Sequence, residues 1–221
     1  MLYAALGDSI THGYDASTTE SAWVQRFLRN LSRTQTVNLY LHTKPGWTSG
    51  QLAKSLAKVP DVIWAEAKLV TILVGGNDLL RASPRLLNGN YTQVYKVAER
   101  VQDNLEAALA TVRRKDGIVI LGTLYNPFPN SLLAEEYTQT VNHSIRRVAN
   151  RNGTLVAELE RLFHNREDQF IEGYRKGNLR DMRLFGNPIH PNDKGHEAIA
   201  KAFLRTYRSA KGASPRAKKK A

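Results

Sequence analysis

The chain has 221 residues, 42% of them hydrophobic, which is enough for one domain to bury a full core without staples. It contains no cysteine, which excludes disulfides, thiolate metal sites, iron–sulfur clusters and a cysteine nucleophile. Its formal net charge is +12, but seven of the basic residues cluster after Phe203 with no acidic residue among them, so the excess belongs largely to the C-terminal end.

In chain order, Tyr3–Leu6 is a short apolar run that reads as a buried strand, followed by a helix over about 20–33. Met1–Gly7 lacks the basic leader and apolar length of a signal peptide, and no run reaches the ~18 apolar residues of a membrane span. A soluble protein is expected, cytoplasmic or exported with its leader removed. Val37–Leu41 is the second strand, with a helix at about 49–58, and Leu69–Val74 is the third. The helix over about 91–114 is the most regular: Val94, Val97, Ala98, Val101, Leu105, Ala108, Leu109 and Val112 recur every three or four residues. Ile118–Leu121, a helix at about 132–151 and Leu155–Ala157 follow. A last helix starts at Asn192–Asp193, which can cap it, and buries Ala198, Ile199, Ala202 and Phe203. Strands alternating with helices predict an α/β fold, a parallel sheet with helices on both faces, as one domain over 1–208. Residues 209–221, rich in Ala, Ser, Gly and Lys, are expected to be a disordered basic tail. The tail is suited to weak contact with an anionic surface. No motif of the body points to nucleic acid.

In open α/β sheets, ligands bind beyond the carboxyl ends of the strands. Four segments fall there: Gly7-Asp8-Ser9-Ile10-Thr11, Pro45-Gly46-Trp47-Thr48-Ser49, Gly75-Gly76-Asn77-Asp78 and His190-Pro191-Asn192-Asp193. Ser9 is a poor nucleophile unless a base takes its proton and donors receive the oxyanion formed on attack. His190 has the chemistry of that base. Gly46 can bring an N–H close to a substrate, the Asn77 amide offers a second donor and the Ser9 N–H a third. Read singly, each is as well explained by caps and turns. Asp8 and Asp78 are expected to tie down their loops, His12 to lie on the surface and His196 to be a satisfied or exposed helix residue. His42 and His164 have no partner motif, and no pair has the spacing of metal ligands, so neither metal nor cofactor is expected.

Taken together, Gly-Asp-Ser near the N-terminus, Gly-x-Thr-Ser after the second strand, Gly-Gly-Asn-Asp after the third and a late His-Pro-Asn resemble the SGNH hydrolase (GDSL esterase/lipase) superfamily. The resemblance covers about Tyr3 to Phe203. It implies a flavodoxin-like three-layer α/β/α fold with a five-stranded parallel sheet. It also implies hydrolysis of carboxylic esters or thioesters through an acyl-enzyme, without metal. Ser9 would be the nucleophile and His190 the base, with Ser9 N–H, Gly46 N–H and Asn77 forming the oxyanion hole. One position departs from the pattern. The family's third catalytic group is an Asp three residues before the His, and here that residue is Asn187. Three alternatives stand: a dyad oriented by Asn187 or a backbone carbonyl, a substitute carboxylate from Asp181 or Asp193, or a weakened site that binds ligand and turns over slowly. In a serine protease the equivalent Asp-to-Asn change costs about 10⁴ in turnover.

For the substrate the sequence offers only aromatic residues near these motifs. Trp47 beside Gly46 and Phe185 before His190 are candidate pocket walls, as are Phe163, Phe170 and Tyr174 of the charged segment 163–186. Asn126-Pro127-Phe128-Pro129 is placed to line the same rim. The expected partner is a small-molecule, lipid or carbohydrate ester with a small to medium acyl group.

Overall fold

A computed structural model describes residues 1–86, 92–112, 117–182 and 186–213. Five parallel strands, β1 (Leu2–Gly7), β2 (Asn38–Thr43), β3 (Ala67–Leu73), β4 (Ile118–Gly122) and β5 (Leu155–Ala157), form one sheet in the order β2-β1-β3-β4-β5. The helices are α1 (Ser9–His12), α2 (Trp23–Leu31), α3 (Ser49–Leu56), α4 (Asp61–Glu66), α5 (Gly76–Leu86), α6 (Thr92–Val112), α7 (Leu132–Asn152), α8 (Leu159–Phe163), α9 (Glu167–Phe170) and α10 (Asp193–Ala213).

The apolar runs Tyr3–Leu6, Leu69–Val74 and Ile118–Leu121 become the central strands β1, β3 and β4 because both faces of the sheet are covered. Val37–Leu41, also expected as a buried strand, instead overlaps edge strand β2, which has no buried residue. Along β1, Ala4 and Leu6 pack with α3, α4, α6 and α7, whereas Tyr3 and Ala5 pack with α2, α8, α9 and α10. Successive side chains of a strand point to opposite faces, so an unbroken apolar run satisfies both cores. The eight apolar residues singled out in the long central helix are all buried in α6. This is the expected three-layer α/β/α arrangement in flavodoxin-like strand order.

The helices α4, α5, α8 and α9 were not expected from the sequence, and two of them show why. The stretch Gly75-Gly76-Asn77-Asp78 reads as a turn, but Gly76 already opens α5. The glycine that opens it and Pro84 within it lower the local helix signal, while partly buried Leu79 and Ala82 pack against the core. The short α4 begins after Pro60, with Asp61 in its first turn, and drives Trp64 fully into the core. At the C-terminal end α10 continues to Ala213, so residues 209–213 of the expected tail are its last turn, and 214–221 lie outside the described residues. Among the described residues no helix is long and apolar enough to cross a membrane.

The topology also fixes where a site can form. The chain leaves β1 toward α2 on one face and leaves β3 toward α5 and α6 on the other, which opens a crevice between adjacent strand ends. Gly7, the last residue of β1, is held there by contact: a Cβ would stand 2.3 Å from both the Leu73 carbonyl oxygen and Thr11 Oγ1. Only a glycine lets α1 begin that close to the end of β3, and the next two residues are Asp8 and Ser9.

Candidate active site

Ser9 opens α1, and Asp8 before it is the helix cap, accepting the Ile10 N–H at 3.1 Å. The His190 segment arrives from the other side of the crevice, locked by the chain before it. The Glu172 N–H donates to the His190 carbonyl at 2.9 Å, Asn192 N–H to the Phe170 carbonyl at 2.8 Å, and Tyr125 Oη–H to the Ile189 carbonyl at 2.6 Å. The result is a Ser9 Oγ to His190 Nε2 distance of 2.9 Å. Burial holds the His190 pKa below the ordinary imidazole value, opposed by a nearby carboxylate. The ring is therefore neutral at pH 7 and able to accept a proton.

That carboxylate is Asp15, whose Oδ2 lies 3.3 Å from His190 Nδ1. Neither acid considered from the sequence approaches the ring in this way. Asp181 turns inward and accepts the Lys176 and Asn178 N–H groups at 2.9 and 3.1 Å, capping its own turn. Asp193 accepts Ser17 N–H at 2.9 Å and its hydroxyl at 2.5 Å. At Asn187 the backbone carbonyl receives the Ile189 N–H at 2.8 Å, closing the turn before the histidine. The sequence reading missed Asp15. It lies in no motif, and the one local signal was a short polar loop directly after the Ser9 turn.

The expected oxyanion donors meet unevenly. Asn77 Nδ2 is 3.0 Å from the Trp47 carbonyl and 3.3 Å from Asp8 Oδ2, which places the amide between the two loops. Gly46 has φ +82, a left-handed conformation that favours glycine, with its carbonyl accepting from Arg81 Nη2 at 2.8 Å. A Cβ there would meet nothing within 4 Å, so this backbone faces open space. Asp78 holds the Gly46 loop in place by accepting the Ser49 N–H and hydroxyl, both at 2.8 Å. Buried beside it, Asp8 has its pKa pushed up to about 7, first by desolvation and further by the Asp78 charge.

An apolar cavity of about 130 Å³ adjoins Ser9, Asn77 and His190. Its walls include Leu79 and Leu80 of α5, Leu124 and Phe128 after β4, and Leu133 and Tyr137 of α7. Asn142 of α7 fixes that rim, accepting the Leu124 N–H at 2.7 Å and donating to its carbonyl at 2.8 Å. Asn126, Pro127 and Phe128 line the cavity as the sequence suggested. Trp47, Phe163, Phe170 and Tyr174 do not. Trp47 packs its ring 5.2 Å from His42 and against the core, because edge strand β2 needs cover. Phe163 and Phe170 are buried in the second core, so Leu179 and Met182 are what segment 163–186 gives to the cavity. Phe185 lies outside the described residues. Among the described residues no three His, Cys, Asp or Glu side chains gather as a metal-ligand set.

His12 is exposed and His196 is wholly buried. His196 receives the Trp23 N–H on Nδ1 at 3.3 Å, so its proton sits on Nε2, 3.1 Å from the Tyr14 carbonyl that accepts it.

Comparison with known proteins agrees with this fold. Spore germination lipase LipC of Bacillus licheniformis is 26% identical over 209 residues, 90% of this chain and 92% of that protein. A lipase from a goat rumen metagenome superposes with a TM-score of 0.79 at 24% identity, over 93% of this chain and 97% of that one. The psychrotrophic esterase EstA from Pseudoalteromonas sp., solved with monoethylphosphonate as inhibitor, gives 0.65 at 17%, over 96% and 98%. The family model of GDSL-like lipases and acylhydrolases matches residues 5–198, from the first strand into the last helix. The chain belongs to the GDSL-like lipase/acylhydrolase family and is a carboxylic ester hydrolase.

Proposed function

We propose that the chain is a serine esterase that cleaves esters of small to medium acyl groups through an acyl-enzyme on Ser9. The observation that carries this is the 2.9 Å contact between Ser9 Oγ and a neutral His190 at the mouth of an apolar cavity. Ser9 Oγ attacks the ester carbonyl as its proton passes to His190 Nε2, and the carbonyl oxygen becomes an oxyanion. The N–H groups of Ser9 and Gly46 and the Asn77 amide receive that charge. Of the two contacts made by Asn77, the longer one to Asp8 is the one the oxyanion draws on. Collapse of the intermediate expels the alcohol, which takes the proton back from His190. Water, deprotonated by the same nitrogen, then releases the acid and restores Ser9.

The cavity sets the acyl size. A dry cavity of about 150 Å³ admits a benzene-sized guest, so this one suits a chain of roughly six carbons lying among leucines. On that basis turnover of p-nitrophenyl esters rises from acetate to about hexanoate and falls for chains of twelve or more carbons. A fluorophosphonate labels Ser9 stoichiometrically, read by peptide mass, and Ser9→Ala lowers kcat by about 10⁴ or more with the fold intact. Labelling of another serine, or an active Ser9→Ala, would overturn the reading.

A further inference from the structure

His190 can take the Ser9 proton only if Nε2 is bare, so its own proton must sit on Nδ1 and must be held there. On that side stands Asp15, 3.3 Å away, with the imidazole between it and the serine. Because Asn187 occupies the position where the family's acid normally sits, the site has a carboxylate, but it is supplied from a different loop.

Asp15 is in a costly conformation. Its φ is +62, in the left-handed region, which Asp and Asn enter more readily than other side chains but which still needs support from the surroundings. Here the surroundings give it. Tyr14 N–H donates to the Ser9 carbonyl at 2.9 Å and Ala16 N–H to Gly13 at 3.2 Å. From α10, His196 Nε2–H holds the Tyr14 carbonyl and Asp193 holds Ser17 through both its backbone and hydroxyl. Residues on both sides of Asp15 are thus tied down. The same loop lays the Tyr14 ring 4.6 Å from the imidazole, closing one face of it.

We infer that Asp15 is the positioning residue for His190, supplying the negative charge that an amide at Asn187 lacks, and that His196 and Asp193 hold its loop for that purpose. The inference rests on Ser9 and His190 carrying the chemistry. A carboxylate fixes the productive tautomer and stabilises the imidazolium as it forms, whereas an amide at 187 supplies no charge. Nucleophile and acid also share one short segment, residues 9–15, so they keep register with each other and only His190 is brought from elsewhere.

The test is Asp15→Asn alongside Asp15→Gly and Ser9→Ala in the full chain. Asn keeps the shape and tolerates the left-handed backbone, and Gly adopts it without strain, so neither changes Tm by more than a few degrees. Both variants lower kcat by about 10²–10³, less than the ~10⁴ of a fully buried acid, because 32% of the Asp15 side chain meets solvent. KM stays within about threefold, and the fluorophosphonate still labels Ser9, more slowly. The acid limb of kcat/KM moves to lower pH, since removing Asp15 removes what raises the His190 pKa. The other titratable groups facing the ring region, Asp8, Tyr14, Tyr125, Asp193 and His196, are unchanged in these variants. Wild-type kcat in both variants, or a fall with an unmoved acid limb, would overturn the assignment of Asp15. If Ser9→Ala is inactive in either case, the esterase reading survives; an active Ser9→Ala removes both.

Discussion

The start of the last helix carries two histidines in opposite circumstances. His190, just before α10, meets a hydroxyl on one nitrogen and a carboxylate on the other. His196, in the first turns of α10, meets a backbone N–H on one nitrogen and a backbone carbonyl on the other. Burial lowers the pKa of both, and that of His196 reaches about 4. Desolvation alone therefore does not make a base. The partners of His190 can lose a proton or stabilise a charge, whereas those of His196 can only hold a fixed tautomer in place. On the proposed reading, one ring does chemistry and the other pins the loop that serves it.

Substitution separates the two roles. His190→Asn removes the proton acceptor and lowers kcat by about 10⁴ or more, while the unfolding free energy changes by less than ~1 kcal/mol. His196→Ala acts the other way round. It strips the Trp23 N–H and the Tyr14 carbonyl of their partners inside a closed core and leaves a void, a loss of about 2–4 kcal/mol. For a domain of this size that lowers Tm by roughly 5–10 °C. A stable His196→Ala, or a His190→Asn that unfolds, would erase the distinction.

The contrast also marks what the sequence could tell. Central strands were legible because residues such as Ala4 and Leu6 alternate with Tyr3 and Ala5 between two apolar faces. Placing Ser9 beside His190 needed the four motifs read together, because singly each is as well explained by caps and turns. The α5 helix was hidden because Gly75-Gly76 and Pro84 are signals of turns, and packing of Leu79 and Ala82 against the core outweighed them. Trp47 misled because an aromatic residue beside a motif reads as a pocket wall, when the exposed edge strand β2 had the stronger claim on it. Asp15 carried no signal beyond its place in a short polar loop after Ser9. Its approach to a residue far along the chain depends on one left-handed backbone angle and on clamps from α10, and neither leaves a pattern in neighbouring letters.

A smaller effect sharpens the comparison further, through pH. The folded pKa of His196 is about 4, against ~6.5 for an unfolded histidine. Above pH 6.5 the ring is neutral in both states and its contribution is complete. Between 6.5 and 4 the unfolded chain binds a proton that the folded one refuses, so wild-type stability falls as pH falls, by at most ~1.4 kcal/mol per unit. Asp8 works in the opposite sense. Its folded pKa of about 7 lies above the unfolded value, so the folded state holds a proton longer and stability falls as pH rises through that range. Wild-type stability alone therefore mixes the two signs. The difference between wild type and His196→Ala does not, because Asp8 and His190 are present in both proteins and their contributions cancel. That difference should stand near its full 2–4 kcal/mol at pH 7.5 and shrink steadily to about zero near pH 4, where the wild type has spent its advantage on excluding a proton. Urea midpoints across that interval measure it, and a gap that stays constant with pH would mean that His196 is not held neutral by its burial.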